Sequence, residues 1–160
     1  RIRSYGRCRE KKYEGKRGSC YDSDRTAEIV VRSIMTEKEL FMMAQEACHK
    51  AYAPFSGFRV GAALLTSDGE VFTGANVENS SYGGTICAER CACVKAVSEG
   101  YLGFSAIAIA SDEGMVMPCG ICRQFLYEFA PELTVIVGEN EDRLQSYALS
   151  ELFPGGFRLR

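Results

Sequence analysis

The residues best suited to chemistry are three cysteines and a glutamate in two short motifs, Cys87-Ala-Glu89 and Pro118-Cys-Gly-Ile-Cys122. Three thiolates can hold a zinc ion and leave its fourth position for water, as in catalytic rather than structural sites. The chain has a single histidine, His49, so any zinc site here must be built mainly from thiolates. The sequence therefore predicts a Zn²⁺ site with Cys87, Cys119 and Cys122 as its ligands.

Three neighbouring polar residues extend this prediction. Glu89 stands two residues from a ligand, where a carboxylate can take a proton from water and return it to a leaving nitrogen. Three thiolates leave the zinc site with a net negative charge, which weakens the metal as a Lewis acid. Arg90 and Arg123 directly follow the two motifs, and either could donate a hydrogen bond to a ligand sulfur. We expect Glu89 to be catalytic and both arginines to support the ligands.

Three other interpretations of the cysteines stay open. Cys91 follows Cys87 by four residues and could complete a structural site of four cysteines, although this spacing is unusual and such a site needs no glutamate. A redox pair at Cys119 and Cys122 would leave the first motif unexplained. The cysteines could also be merely buried thiols, although their clustering argues against it.

Composition and charge limit the kind of protein. The 160 residues are 46% hydrophobic and 25% charged, as expected of one globular domain. No apolar run approaches the roughly 20 residues that span a bilayer, so we expect a cytoplasmic protein without a membrane partner. Residues 1–33 carry ten Lys/Arg against five Asp/Glu, and the remainder carries nine against sixteen. We predict a basic, poorly ordered extension over residues 1–33 and an acidic domain over 34–160, which argues against a nucleic-acid partner.

Helices and strands alternate along the domain. A capping box at Thr36-Glu-Lys-Glu39 predicts a first helix that ends before Pro54. Cys87 and Cys119 fall where later helices should begin, and a helix N-terminus stabilises a thiolate. We predict strands at 58–66, 71–76, 106–110, 134–137 and 144–148 and further helices at 87–99, 119–129 and 150–153, with Val94 and Val97 on the apolar side of the second helix. This order indicates an α/β fold, a three-layer α/β/α sandwich with a mixed five-stranded sheet.

Several segments together resemble those of the small three-cysteine cytidine deaminases, within the cytidine/deoxycytidylate deaminase superfamily. They are Ala53-Pro-Phe-Ser-Gly-Phe-Arg-Val-Gly-Ala-Ala63, Asn76-Val-Glu-Asn79, Thr85-Ile-Cys-Ala-Glu-Arg90 and Pro118-Cys-Gly-Ile-Cys-Arg-Gln124. With Cys in place of His, the motifs match the zinc-deaminase signature. The resemblance runs from Met35 to Phe157. It implies a cytidine deaminase-like fold, one zinc per subunit, and hydrolytic deamination of cytidine and 2′-deoxycytidine to the uracil nucleosides in pyrimidine salvage.

The resemblance also implies substrate-binding roles. Asn76 and Glu78 match a pair that hydrogen-bonds the ribose 3′-hydroxyl, and Phe58 matches an aromatic residue that packs against the pyrimidine ring. The main chain of Ala88 matches a group that contacts the base. Together these matches favour a free nucleoside over a polynucleotide, and they leave open the preference between ribose and deoxyribose.

Two further matches concern neighbouring subunits. Tyr82 and Phe157 match residues that one subunit contributes to the pocket of another, which implies a homotetramer with shared active sites. Cys91 departs from the family pattern, because these enzymes often carry Thr there. A deaminase of a cytosine-bearing antibiotic and a nucleic-acid deaminase stay open as alternative activities.

Overall fold

The structure, a computed structural model, describes residues 35–159. The extension predicted over residues 1–33 lies outside the described residues, so its order stays a prediction. Within the described range, none of the helices has the length and apolar character needed to cross a membrane.

Five strands form one mixed sheet. The elements in chain order are α1 (Glu37–Cys48), β1 (Val60–Thr66), β2 (Val71–Ala75), a 3₁₀ turn (Tyr82–Gly84), α2 (Ala88–Ser98), β3 (Phe104–Ser111), α3 (Gly120–Tyr127), β4 (Thr134–Gly138), β5 (Leu144–Ala148) and α4 (Leu149–Leu152). The strand order in the sheet is β2-β1-β3-β4-β5, in which β3 and β4 run parallel and the other neighbours are antiparallel. Helices cover both faces of the sheet, which confirms the predicted three-layer α/β/α sandwich.

Helix α1 covers one face of the sheet. The predicted capping box is present, since the Thr36 side chain accepts from the Glu39 main chain and the Glu39 carboxylate accepts from the Thr36 main chain. Leu40 and Phe41 are fully buried and belong to a cluster with Ala63 and other sheet residues. Strand β1 can lie close to this helix because residue 61 is glycine: a Cβ there would stand 2.1 Å from a carbonyl oxygen of α1.

Helix α2 belongs to the opposite face, and here one of two expectations from the sequence was wrong. Val97 is partly buried and packs against the core as expected, whereas Val94 is 50% exposed. The buried face of α2 is instead made of small residues, Ala88, Ala92, Cys93 and Ala96. The reason is close packing, because a Cβ on Gly74 of β2 would lie 2.4 Å from main-chain atoms of α2.

The topology brings three chain segments to one end of the sheet. Strand β1 starts there, and the antiparallel strands β2 and β3 end there, with Gly61 opposite Ala75 and Val60 opposite Ser111. The segment after β2 leads to Cys87, and the segment after β3 leads to Cys119. The N-termini of α2 and α3, with their cysteines, thus both follow segments that leave the sheet at the same end of its strands.

Candidate active site

The sulfur atoms of Cys87, Cys119 and Cys122 lie within 4.8 Å of one another. Cys87 is the N-cap of α2, Cys119 is the N-cap of α3, and Cys122 lies in the first turn of α3. The Sγ atoms of Cys87 and Cys119 are 3.9 Å apart. Tetrahedral zinc with Zn–S bonds of about 2.3 Å would separate its sulfurs by roughly 3.8 Å. The donor set therefore fits zinc in both chemistry and spacing.

The electrostatics of the cluster favour a thiolate. Hydrogen bonding from Cys122 lowers the pKa of Cys87 to about 5, and bonds from Arg90 and Cys119 act in the same direction. The pKa of Cys122 is raised because its proton bonds Cys87 and because its side chain is buried. These contacts favour the thiolate form of Cys87, which is the form that binds a metal ion.

The two arginines have different partners. Arg90 Nη2 lies 3.5 Å from Cys87 Sγ and 3.1 Å from the Thr85 carbonyl oxygen, so it donates to a sulfur as expected. Arg123 instead donates to two carbonyl oxygens, that of Pro118 at 2.7 Å and that of Leu152 at 2.6 Å. The expected bond from Arg123 to a sulfur is therefore not among its described contacts. The Arg123 guanidinium therefore links the loop before α3, at Pro118, to the end of α4, at Leu152.

Glu89 lies in the first turn of α2 and is 3% exposed. Burial raises the pKa of its carboxyl, and the negative charge at Cys87 acts in the same direction. A carboxyl with a raised pKa can both accept and return a proton near neutrality. Glu89 shares a cavity wall with Cys87 and Cys119, so the residue predicted to transfer protons lies beside the predicted metal ligands.

Cys91 does not join the sulfur cluster. The described residues that could hold a metal ion together are the three predicted cysteines, without Cys91. Its Cβ instead faces β2, where a Cβ on Gly74 would approach it to 2.9 Å. A structural site of four cysteines is therefore not supported. His49 is exposed at the C-terminal end of α1 and belongs to no such group.

A cavity of about 310 Å³ opens beside the sulfurs. The structure brings six predicted residues around this one space: Phe58, Asn76, Glu78, Cys87, Glu89 and Cys119. A larger groove of about 590 Å³ runs along α1 but contains none of the predicted residues. We place the candidate active site in the smaller cavity because there, among residues 35–159, a buried carboxyl group lies beside the metal-ligating groups.

Asn76 and Glu78 have partners within the chain. Asn76 Oδ1 accepts from the main-chain N–H of Val60 at 2.8 Å, and its Nδ2 donates to the carbonyl of Phe58 at 2.9 Å. These bonds leave Asn76 one further amide hydrogen. Glu78 accepts bonds from the main chain of Phe55 at 2.8 Å and from Ser56. The two residues thus shape the pocket wall and retain hydrogen-bonding capacity.

The remaining predicted residues are divided between the interior and the surface. Ala88 is fully buried, whereas Tyr82 and Phe157 are 78% and 62% exposed. Sequence reasoning missed Gln124, whose side chain bonds both the carbonyl and the N–H of Phe157, at 2.8 and 3.4 Å. It also missed Ser56. Both lie within the quoted motifs, so their positions were visible, but their partners depend on the fold.

The family model for the cytidine and deoxycytidylate deaminase zinc-binding region matches residues 35–138. The chain belongs to this family. Its model describes a zinc-binding region, and the three clustered sulfurs supply a donor set for one such ion.

Sequence relatives agree with this membership. A protein of Dictyostelium discoideum named probable cytidine deaminase is 53% identical over 116 residues, which cover 71% of this chain and 78% of the relative. The cytidine deaminase of Halalkalibacterium halodurans is 48% identical over 125 residues, covering 77% of this chain and 95% of that protein. The chain therefore spans most of the length of these relatives.

Solved structures agree with the fold. The crystal structure of cytidine deaminase from Burkholderia pseudomallei superposes with a TM-score of 0.73 at 44% identity, covering 77% of this chain and all (100%) of that one. That of cytidine deaminase from Mycobacterium tuberculosis gives a TM-score of 0.65 at 41% identity, covering 75% of this chain and 95% of that one. These similarities confirm the fold predicted from the sequence.

Proposed function

We propose that this protein deaminates cytidine and 2′-deoxycytidine hydrolytically to uridine and 2′-deoxyuridine, with release of ammonia, as a step of pyrimidine salvage. The observation that carries the proposal is the buried Glu89 carboxyl beside Cys87 and Cys119 in a cavity of about 310 Å³. A relative that is 53% identical is named probable cytidine deaminase and one that is 48% identical is named cytidine deaminase, which supports the same reaction.

In this proposal Cys87, Cys119 and Cys122 hold one zinc ion per subunit. Zinc, when bound, supplies a Lewis acid that lowers the pKa of water toward neutrality. Arg90 places a positive charge 3.5 Å from the Cys87 sulfur and so limits the negative charge of the three thiolates. The N-termini of α2 and α3 act in the same direction, since each has a ligand cysteine as its N-cap.

Glu89 moves the protons. Its carboxylate takes a proton from the water that attacks C4 of the pyrimidine ring and delivers it to N3. The remaining hydrogen of the hydroxyl group now on C4 then passes through the same carboxyl to the amino nitrogen, so that the C4–N bond breaks, ammonia leaves and C4 becomes a carbonyl. One water is consumed for each ammonia released, so atoms balance. The raised pKa of Glu89 suits both steps, because the group must be ionised at first and protonated afterwards.

The cavity wall supplies the substrate contacts. We assign the ring of Phe58, which is partly buried, to packing against the pyrimidine, and the Ala88 main chain to the base. Asn76 and Glu78 are assigned to the ribose 3′-hydroxyl. An amide N–H and a carboxylate suit a sugar hydroxyl as partners, while a carboxylate would repel a 3′-phosphate. This favours free nucleosides over polynucleotides.

We further propose a homotetramer in which Tyr82 and Phe157 complete the pocket of a neighbouring subunit. The exposure of both aromatic rings supports this, since single subunits otherwise leave 78% and 62% of these side chains in water. Light scattering during size exclusion would test it: a mass of four chains is expected, and a monomer with full activity would refute shared sites.

A substrate panel tests the proposed function. Loss of ultraviolet absorbance is expected with cytidine and 2′-deoxycytidine, and much slower loss with cytidine 3′-phosphate, blasticidin S or a single-stranded oligonucleotide. Activity should vanish with a strong chelator and return with zinc. Turnover of the antibiotic or the oligonucleotide in preference to cytidine would refute the proposal.

A further inference from the structure

Ser56 connects two parts of the pocket that the proposed function uses. It lies in the segment between α1 and β1 and lines the cavity together with Glu78 and Phe58. Its Oγ accepts a hydrogen bond from the main-chain N–H of Phe58 at 3.0 Å. Its hydroxyl also bonds Glu78 Oε1. One small side chain thus joins the segment that carries the aromatic ring to the carboxylate.

The direction of these bonds follows from the chemistry of the groups. A main-chain N–H can only donate, so the Ser56 oxygen must accept from Phe58, and its own hydrogen remains for Glu78. That bond from Ser56 is the largest cause that holds the pKa of Glu78 below its ordinary value, followed by the N–H of Phe55. Glu78 is therefore an ionised acceptor at neutral pH.

Counting acceptor positions shows what Glu78 can still bind. A carboxylate offers about four lone-pair positions on its two oxygens. The N–H groups of Phe55 and Ser56, at 2.8 and 3.3 Å, both bond Oε2. The Ser56 hydroxyl occupies one position on Oε1. One acceptor position remains on Oε1, and the orientation of that oxygen is set by Ser56.

We propose that Ser56 is a positioning residue, which holds the Glu78 carboxylate so that Oε1 accepts a bond from the sugar 3′-hydroxyl of the nucleoside. This inference rests on the proposed function, and it adds the residue that makes the ribose contact selective. Without the hydroxyl, the Glu78 carboxylate keeps its Oε2 bonds but loses the bond that fixes Oε1. A freer carboxylate binds the sugar hydroxyl more weakly, because it must be ordered during binding.

The test compares the parent, Ser56→Ala and Ser56→Thr on cytidine and 3′-deoxycytidine. We expect Ser56→Ala to lower kcat/KM for cytidine about 10-fold, the effect of one hydrogen bond to a charged group, mainly through KM. With 3′-deoxycytidine, which lacks the hydroxyl, the same substitution should change kcat/KM by less than about 2-fold. Ser56→Thr keeps a hydroxyl group and should therefore show the parental ratio of kcat/KM for cytidine to kcat/KM for 3′-deoxycytidine.

Two results would overturn the proposal. An equal loss on both substrates would mean that Ser56 only stabilises the loop, and no loss on either would mean that its hydroxyl is not used. The double variant Ser56→Ala/Glu78→Ala provides a matched control, because Glu78→Ala removes the acceptor of the Ser56 bond. The double variant should be no worse on cytidine than Glu78→Ala alone, because Ser56 acts through the carboxylate, whereas additive losses would contradict that coupling.

Failure of the proposed function can be told apart from failure of this inference. If the parent does not deaminate cytidine, the proposed function fails, and NMR titration of the Glu78 carboxyl still decides the role of Ser56. The pKa of Glu78 should be higher in Ser56→Ala than in the parent and in Ser56→Thr. An unchanged pKa in Ser56→Ala would overturn the positioning role, whatever the substrate.

Discussion

Replacing Arg90 with alanine should lower the affinity for zinc, with a smaller effect on the free energy of unfolding. The guanidinium donates to the Cys87 sulfur at 3.5 Å and to the Thr85 carbonyl at 3.1 Å. A hydrogen bond to a charged group contributes about 1.5–3 kcal/mol, and the partners of metal ligands typically change metal affinity about 10- to 100-fold. We therefore expect the zinc dissociation constant of Arg90→Ala to rise by about 10- to 100-fold.

The matched control is Arg123→Ala, which removes the same guanidinium from a residue beside another ligand. Arg123 bonds the carbonyls of Pro118 and Leu152 instead of a sulfur. Its loss should lower the free energy of unfolding by about 3–6 kcal/mol, since two carbonyls each lose a charged donor. Zinc affinity should change much less than in Arg90→Ala.

Competition with a chromogenic zinc chelator measures the affinity, and thermal denaturation of the zinc-loaded proteins measures the stability. The two substitutions should have different effects: Arg90→Ala should mainly lower the affinity for zinc, and Arg123→Ala should mainly lower the thermal stability. Parental zinc affinity in Arg90→Ala, or an equal loss in both variants, would refute the assignment of Arg90 to the Cys87 sulfur.

Two further predictions follow from the same structure. Gly61→Ala places a Cβ 2.1 Å from a main-chain oxygen of α1 and should lower the free energy of unfolding by at least about 1–3 kcal/mol. Gly155→Ala is the control, because a Cβ there would have no atom within 4 Å and should leave the stability unchanged. Equal melting temperatures of the two variants would contradict the close packing of β1 against α1. In zinc-free protein Cys87 has a pKa of about 5, so its thiolate should react quickly with iodoacetamide at pH 7 and more slowly as the pH falls through about 5. Bound zinc should protect the Cys87 thiolate from labelling, which mass spectrometry of the labelled peptides measures. Equal labelling of Cys87 with and without zinc would contradict its role as a ligand.

The sequence predicted the clustering of the three cysteine sulfurs because its signal is local. The Pro118-Cys-Gly-Ile-Cys122 spacing places two sulfurs one helical turn apart, and each motif coincides with a helix start. Strand β5 was predicted with its observed bounds, Leu144–Ala148, because turn residues mark where it begins. The capping box before α1 is equally local.

What the sequence could not predict depends on contacts between distant segments. The hydrophobicity of Val94 predicts a place on the buried side of α2, but the absence of a side chain at Gly74 lets α2 lie so close to β2 that small residues fill the contact. The position of Arg123 beside a ligand predicts a bond to sulfur, but the fold brings the carbonyl of Leu152, 29 residues away, within its reach. The role of Ser56 likewise depends on Glu78, 22 residues further along the chain.

In the proposed mechanism Glu89 transfers protons at a zinc site made by three cysteines. Measuring bound zinc and cytidine turnover on the same preparations of Glu89→Gln tests it most directly, with Glu99→Gln at the other end of α2 as the control. We predict one zinc per chain in both variants, parental turnover in Glu99→Gln, and a fall in kcat of about 100-fold or more in Glu89→Gln. Near-parental turnover in zinc-loaded Glu89→Gln would contradict the proposed role of Glu89 in proton transfer.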